Sequence, residues 1–294
     1  MTDRLEAIVA PILRIPPEYR RYHVSAAEVG VTHGVNADLL ARLVDLGVPH
    51  VGAGDDALFD ENDVAAVALR LGLPSVHGFT MRFWLKSLRR LQRTSTVYRV
   101  GVQADCPAPR HGGTCAYRVL DTDGSKRDFV TGNRRERVGS LRLSAHERPY
   151  ELPQVLLGLV GEFADVDLYP LPTAMRHDAA FLTEFRAGPC TLFTDVLVAE
   201  ARRRGLAART AYGIIVAAPY SQPHSWAEIL VEDRWLKVDP QVPRSLQSFG
   251  LCTEDDWPQT LSPAGLYHRL AAEPPLVSHS GLACQVSLPT TVAS

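Results

Sequence analysis

Cys190, His224 and Asp239 are residue types that together perform acyl transfer, and each stands in a local sequence that suits its part. Cys190 follows Gly188-Pro189 and leads Thr191-Leu192-Phe193-Thr194-Asp195-Val196-Leu197, where apolar residues recur at three and four and no breaker intervenes before Gly205. This predicts a helix that starts at the cysteine and stops at Arg202-Arg203-Arg204-Gly205, with cations at its carbonyl end and a glycine beyond them. A thiol in a first helical turn faces unpaired backbone N–H groups and the positive end of the dipole, which favour thiolate. A thiolate there is a nucleophile toward acyl carbon, and the amide of Cys190 is a first donor for the oxyanion that forms. Without partners, a cysteine at this position reads as a small buried apolar residue.

The partners come from strands. Ala211-Tyr212-Gly213-Ile214-Ile215-Val216 is β-rich, and Pro219-Tyr220-Ser221-Gln222-Pro223 reads as a loop. In His224-Ser225-Trp226-Ala227-Glu228-Ile229-Leu230-Val231 the period of two puts His224, Trp226, Glu228 and Leu230 on one face. Glu232-Asp233 is a turn, Arg234-Trp235-Leu236-Lys237-Val238-Asp239 returns, and Pro240 ends the ladder by removing a donor. Counting back from the turn sets His224 beside Asp239 at the open end of the hairpin. A carboxylate beside an imidazole orients the ring and favours the imidazolium formed when a thiol is deprotonated. Singly, such a histidine is an edge or core residue and Asp-Pro opens a turn. Together with Cys190 they form a candidate triad.

Gly188-Pro189-Cys190-Thr191, Gly205-Leu206-Ala207-Ala208-Arg209, His224-Ser225-Trp226-Ala227-Glu228 and Val238-Asp239-Pro240 resemble the transglutaminase-like superfamily over roughly residues 185–245. Ser225 replaces the more usual Ala, another small residue. The resemblance implies a papain-like α+β core, in which the nucleophile helix packs on an antiparallel sheet. It also implies roles: Cys190 as nucleophile, His224 as general base and then acid, Asp239 as the orienting carboxylate. It does not name a substrate, because the superfamily includes peptidases and inactive scaffolds. Amidase, peptidase and amide-forming acyltransferase, the last in bacterial natural-product metabolism, all stay open. So does an inactive binding or regulatory protein on the same fold.

At 294 residues, 46% of them apolar, the chain has material for about two domains. The sequence divides into an N-terminal helical module (1–80), a basic helix with short strands (81–148) and the transglutaminase-like domain (149–294). Five scattered cysteines suggest reduced thiols, and no apolar run suits a membrane span or a leader, so a cytoplasmic protein is expected. A ratio of 28 Arg to 3 Lys points to a GC-rich bacterial genome.

Charge is segregated beneath a net −2. Residues 1–75 carry 6 basic and 11 acidic groups, residues 82–148 carry 15 and 6, and residues 149–294 carry 10 and 16. The basic stretch opens with a helix whose Met81, Trp84, Leu85, Leu88 and Leu91 form an apolar stripe. It reads first as a surface helix docked on a core; the alternative is that its opposite face suits an acidic partner, a carrier protein or peptide bearing the acyl or amide substrate. The first module resembles a helix-turn-helix, with Ser25 and Asn36 as N-caps and Gly47 and Gly72 as stops. Its net negative charge argues against DNA. Cys106-x4-His111-x3-Cys115 has tolerable metal spacing, but zinc needs a fourth ligand and none is adjacent. With no phosphate-binding glycine pattern either, no metal or other cofactor is expected. A metal-dependent regulator built on those three residues is the least favoured reading.

Overall fold

Runs of alternating burial, such as the strand Thr96–Asp105, and apolar stripes at helical spacing both occur along the chain, and the result is an α+β fold. A computed structural model describes residues 2–108, 111–271 and 274–293; Pro109 and Arg110, within the loop of the Cys106 motif, lie outside them. Two compact units emerge, each assembled from three stretches. The first comprises Met1–Arg82, Gly158–Val196 and Pro240–Gln259, and the second Phe83–Leu157, Leu197–Asp239 and Thr260–Ser294.

In the first unit, helices Thr2–Leu13, Ala26–His33, Ala37–Asp45 and Glu61–Leu71 are interleaved with three short strands. The strands form a sheet in which Leu58–Asp60 is flanked by Tyr22–Ser25 and His50–Val51. Ser25 and Glu28 close a capping box, the Asn36 side chain accepts from the Leu39 amide, and Gly72 stops its helix at φ +67°. One apolar core joins Ile12, Val29, Phe59 and Val67 to Tyr169, Phe181 and Ala187, so the segment leading into Cys190 is anchored on the N-terminal helices.

Arg20 is sunk in this unit. Its Nε donates to Asp63 at 2.8 Å and its Nη1 to the Ile15 carbonyl at 2.6 Å, and both ionic side chains are almost fully buried. Removing one member of a buried ion pair strands the other, which costs about 3–5 kcal/mol. Arg20→Met is therefore expected to lower the urea unfolding free energy by about that amount. Pairing it with Asp63→Leu should recover much of the loss; an undiminished single variant would refute the assignment.

The second unit is organised by seven strands, numbered here in chain order: β1 Thr96–Asp105, β2 Arg135–Ala145, β3 Ala208–Ile215, β4 Tyr220–Val231, β5 Arg234–Val238, β6 Tyr267–Arg269 and β7 Gln285–Val292. They pair antiparallel in the spatial order β6-β3-β4-β7-β1-β2, with β5 on β4. A four-stranded sheet in the same unit orders Leu282–Ala283, Val277–His279, Cys115–Leu120 and Lys126–Thr131. On the basic helix, Val76–Leu91, the stripe Met81, Trp84, Leu85, Leu88 and Leu91 is buried, whereas Arg82, Lys86 and Arg89 are exposed. Among the described residues no single helix is long and apolar enough to cross a membrane.

Candidate active site

Cys190 is the first residue of the helix Cys190–Arg203 and is half-buried. Its approach is fixed by backbone pairing. Ala187–Gly188 runs parallel to Asp167–Leu168, and the Gly188 carbonyl accepts from the Tyr169 amide (2.9 Å) and from Gln241 Nε2 (2.8 Å). A Cβ on Gly188 would come within 3.2 Å of Leu192 and 3.4 Å of Leu182, so a side chain there needs those two leucines to give by a few tenths of an ångström. The first helical bond runs from the Phe193 amide to the Pro189 carbonyl (3.0 Å). At the far end Leu206 and Gly205 amides donate to the Ala201 and Arg202 carbonyls, a Schellman motif with Gly205 at φ +80°. Cys190 thus stands in the first turn of the helix, next to its unpaired backbone N–H groups.

His224 and Asp239 belong to the second unit, and the hairpin brings them together. Glu232 and Asp233 take φ +48° and +61°, the turn that matches strand twist, and β4 and β5 pair with Ala227 opposite Val238. Continuing that register sets Asp239 opposite Trp226 and makes His224 its diagonal neighbour. His224 Nε2 and Asp239 Oδ2 are 2.6 Å apart, with their side chains only 5% and 2% exposed. A carboxylate that is ionised only accepts, and in that state Nε2 is the nitrogen that supplies the hydrogen of this bond.

A third group, which sequence reasoning missed, completes this arrangement. Tyr267, the first residue of β6, donates its hydroxyl to the same Asp239 oxygen at 2.6 Å. It reaches that oxygen because β6 pairs with β3, which in turn pairs with β4. The rings of His224, Trp226 and Tyr267 pack together, with centroids 5.0–5.1 Å apart for the two Tyr267 contacts. Directly opposite His224 lies Gly213, where a Cβ would meet the His268 carbonyl oxygen at 2.1 Å and the Trp226 ring at 2.8 Å. Close approach of β6 to β3 therefore requires glycine at 213.

Residues 148–240 match the family model described as the Transglutaminase-like superfamily. The chain carries a transglutaminase-like domain. No curated protein and no solved structure matches the chain. The domain match spans Cys190, His224, Asp239 and Gly213 but stops before Tyr267. Tyr267 offers no cue in sequence, since β6 has three residues and no readable alternation.

A second constellation lies in the same unit as the His224–Asp239 pair. Cys106, His111 and Cys115 meet His279, with donor atoms within 4.8 Å of one another. Burial opposes ionisation of Cys115, but hydrogen bonds led by Arg134 outweigh it and bring the thiol down to about 7. Burial, followed by the neighbouring thiols Cys106 and Cys115, pushes Cys284 up to about 11.

Two substitutions separate the scaffold from the chemistry. Tyr267→Phe removes a bond to a buried carboxylate and should cost about 1.5–3 kcal/mol in denaturant unfolding. Gly213→Ala forces the sheet apart and is expected to cost at least about 3 kcal/mol, the upper end of ordinary overpacking. A Gly213→Ala variant that melts with the wild type would contradict the close approach of β6.

Proposed function

We propose that the chain is a cysteine-dependent acyl-transfer enzyme in which Cys190 is the nucleophile, His224 the acid–base and Asp239 its orienting partner. The observation that carries this reading is the buried 2.6 Å bond from His224 to Asp239 within a transglutaminase-like domain. The half-buried start of a helix at Cys190 also supports it.

With Nε2 committed to Asp239, Nδ1 is the nitrogen that exchanges protons. The Cys190 thiol gives its proton to Nδ1, and the thiolate adds to the carbonyl carbon of an amide or other acyl donor. The resulting oxyanion draws on the Cys190 amide N–H. When the tetrahedral centre collapses, the carbon–nitrogen bond breaks and the Nδ1 proton leaves with the amine. The thioester is then attacked by water or a second amine, whose proton passes to Nδ1, and the carbon–sulfur bond breaks to regenerate the thiol. Through this sequence Asp239 keeps its negative charge against the imidazolium and accepts from Tyr267 as well.

The acyl donor is proposed to be borne on an acidic carrier protein or peptide, a reading supported by the cationic face of Arg82, Lys86 and Arg89 on the basic helix.

Iodoacetamide labelling followed by peptide mapping tests the thiol. Cys190 is expected to react at least about tenfold faster than an ordinary free cysteine near neutral pH, and His224→Ala should remove that advantage. Mapping is needed because Cys115 also has a lowered pKa. Slow, unselective labelling would favour a binding protein on an inactive scaffold. Incubation with acylated carrier proteins and peptides should leave an adduct on Cys190, detectable as an intact-mass shift that Cys190→Ala abolishes.

A further inference from the structure

The spacing of Cys106, His111 and Cys115 lacks a fourth ligand in sequence, and the fold supplies one from far along the chain. Cys106 follows the last residue of β1, Cys115 opens the strand Cys115–Leu120, and His279 ends the strand Val277–His279. Those two strands pair antiparallel with His279 opposite Tyr117. Residues two apart on a strand share a face, so Cys115 and His279 project to the same side.

The cluster is buried where it needs to be: Cys106, Cys115 and His279 are 8%, 0% and 6% exposed. Zinc bonds of about 2.0–2.3 Å set tetrahedral ligands about 3.3–3.8 Å apart. The four donor atoms lie within 4.8 Å of one another, and Cys115 Sγ is already 3.4 Å from His111 Nε2. We propose that Cys106, His111, Cys115 and His279 form a structural zinc site. Two thiolates and two imidazoles suit zinc and disfavour hard cations such as Mg²⁺ or Ca²⁺. Four protein ligands fill the tetrahedron, leaving no position for water or substrate, which makes the role structural.

The surroundings are those of a ligand set. His111 Nδ1 is 2.7 Å from the Gly112 carbonyl; donating there, it leaves the Nε2 lone pair for the metal. Arg134 secures the loop through bonds from its Nη2 to the carbonyls of His111 (2.5 Å) and Gly113 (3.1 Å). Its own carbonyl accepts from the Cys106 amide (2.7 Å) and the Tyr117 hydroxyl (2.9 Å). Its Nη1 lies 2.9 Å from His111 Nε2 and 3.0 Å from Cys115 Sγ, marking where those lone pairs converge.

On loading, Zn²⁺ replaces two thiol protons, which pass to solvent, and takes the His111 lone pair from Arg134. Two thiolates balance the charge of the ion, and Arg134 Nη1, which stands where those lone pairs converge, moves aside as the ion enters while Nη2 keeps its bonds to the His111 and Gly113 carbonyls.

Elemental analysis of the full-length protein, purified with reductant and without added metal, is expected to find about one zinc per chain. Cys115→Ser and His279→Ala should each lower this at least about tenfold, whereas Cys284→Ser keeps it. Because a ligand variant can misfold, the wild type carries an independent readout. After the zinc is stripped, added Co²⁺ should give the visible bands of a tetrahedral thiolate site, and Zn²⁺ should bleach them. Reduced wild-type protein that takes up neither ion would overturn the proposal. So would a Cys106–Cys115 disulfide in protein kept under reductant.

Discussion

The Asp239 carboxylate is the constraint on which the second unit is built. A carboxyl group that deep in the sheet is tolerable only with its hydrogen-bonding sites filled, and two strands supply the partners: His224 from β4 and Tyr267 from β6. Satisfying both at one oxygen requires β5 to end where it does, β6 to lie against β3, and β3 to carry no side chain opposite His224. The turn at Glu232-Asp233, the proline after Asp239 and the glycine at 213 are three sequence features answering one electrostatic requirement.

That requirement also gives the histidine its direction. A carboxylate held at Nε2 fixes the orientation of the ring, and the tyrosine hydroxyl bonds the same oxygen without bringing a second full charge nearby. An arginine in the position of Tyr267 would set a second full charge against Asp239. A phenol fills an acceptor site on it without doing so.

Local structure was legible in the sequence, and long-range pairing was not. Gly188-Pro189 and the breaker-free run to Gly205 marked the helix that starts at Cys190, and a two-residue turn plus Pro240 set the register that joins His224 to Asp239. Tyr267 was invisible because it lies 28 residues beyond Asp239 on a three-residue strand, reached through the intervening β3. His279 was invisible for the same reason: only the pairing of Val277–His279 with Cys115–Leu120 makes it a neighbour of a loop so far back in the chain. The strands of the N-terminal sheet, two to four residues long, were too short to show a period among the helices around them.

The way the two units share the chain bears on how the protein can be made. The first unit takes its last stretch from Pro240–Gln259 and the second from Thr260 onward, so the polypeptide passes from one to the other five times. Neither unit exists as a contiguous segment, and during synthesis neither can close until more than four-fifths of the chain has left the ribosome. Closure of each unit is therefore a late event of high contact order, although much of the first unit's apolar core comes from its first seventy residues.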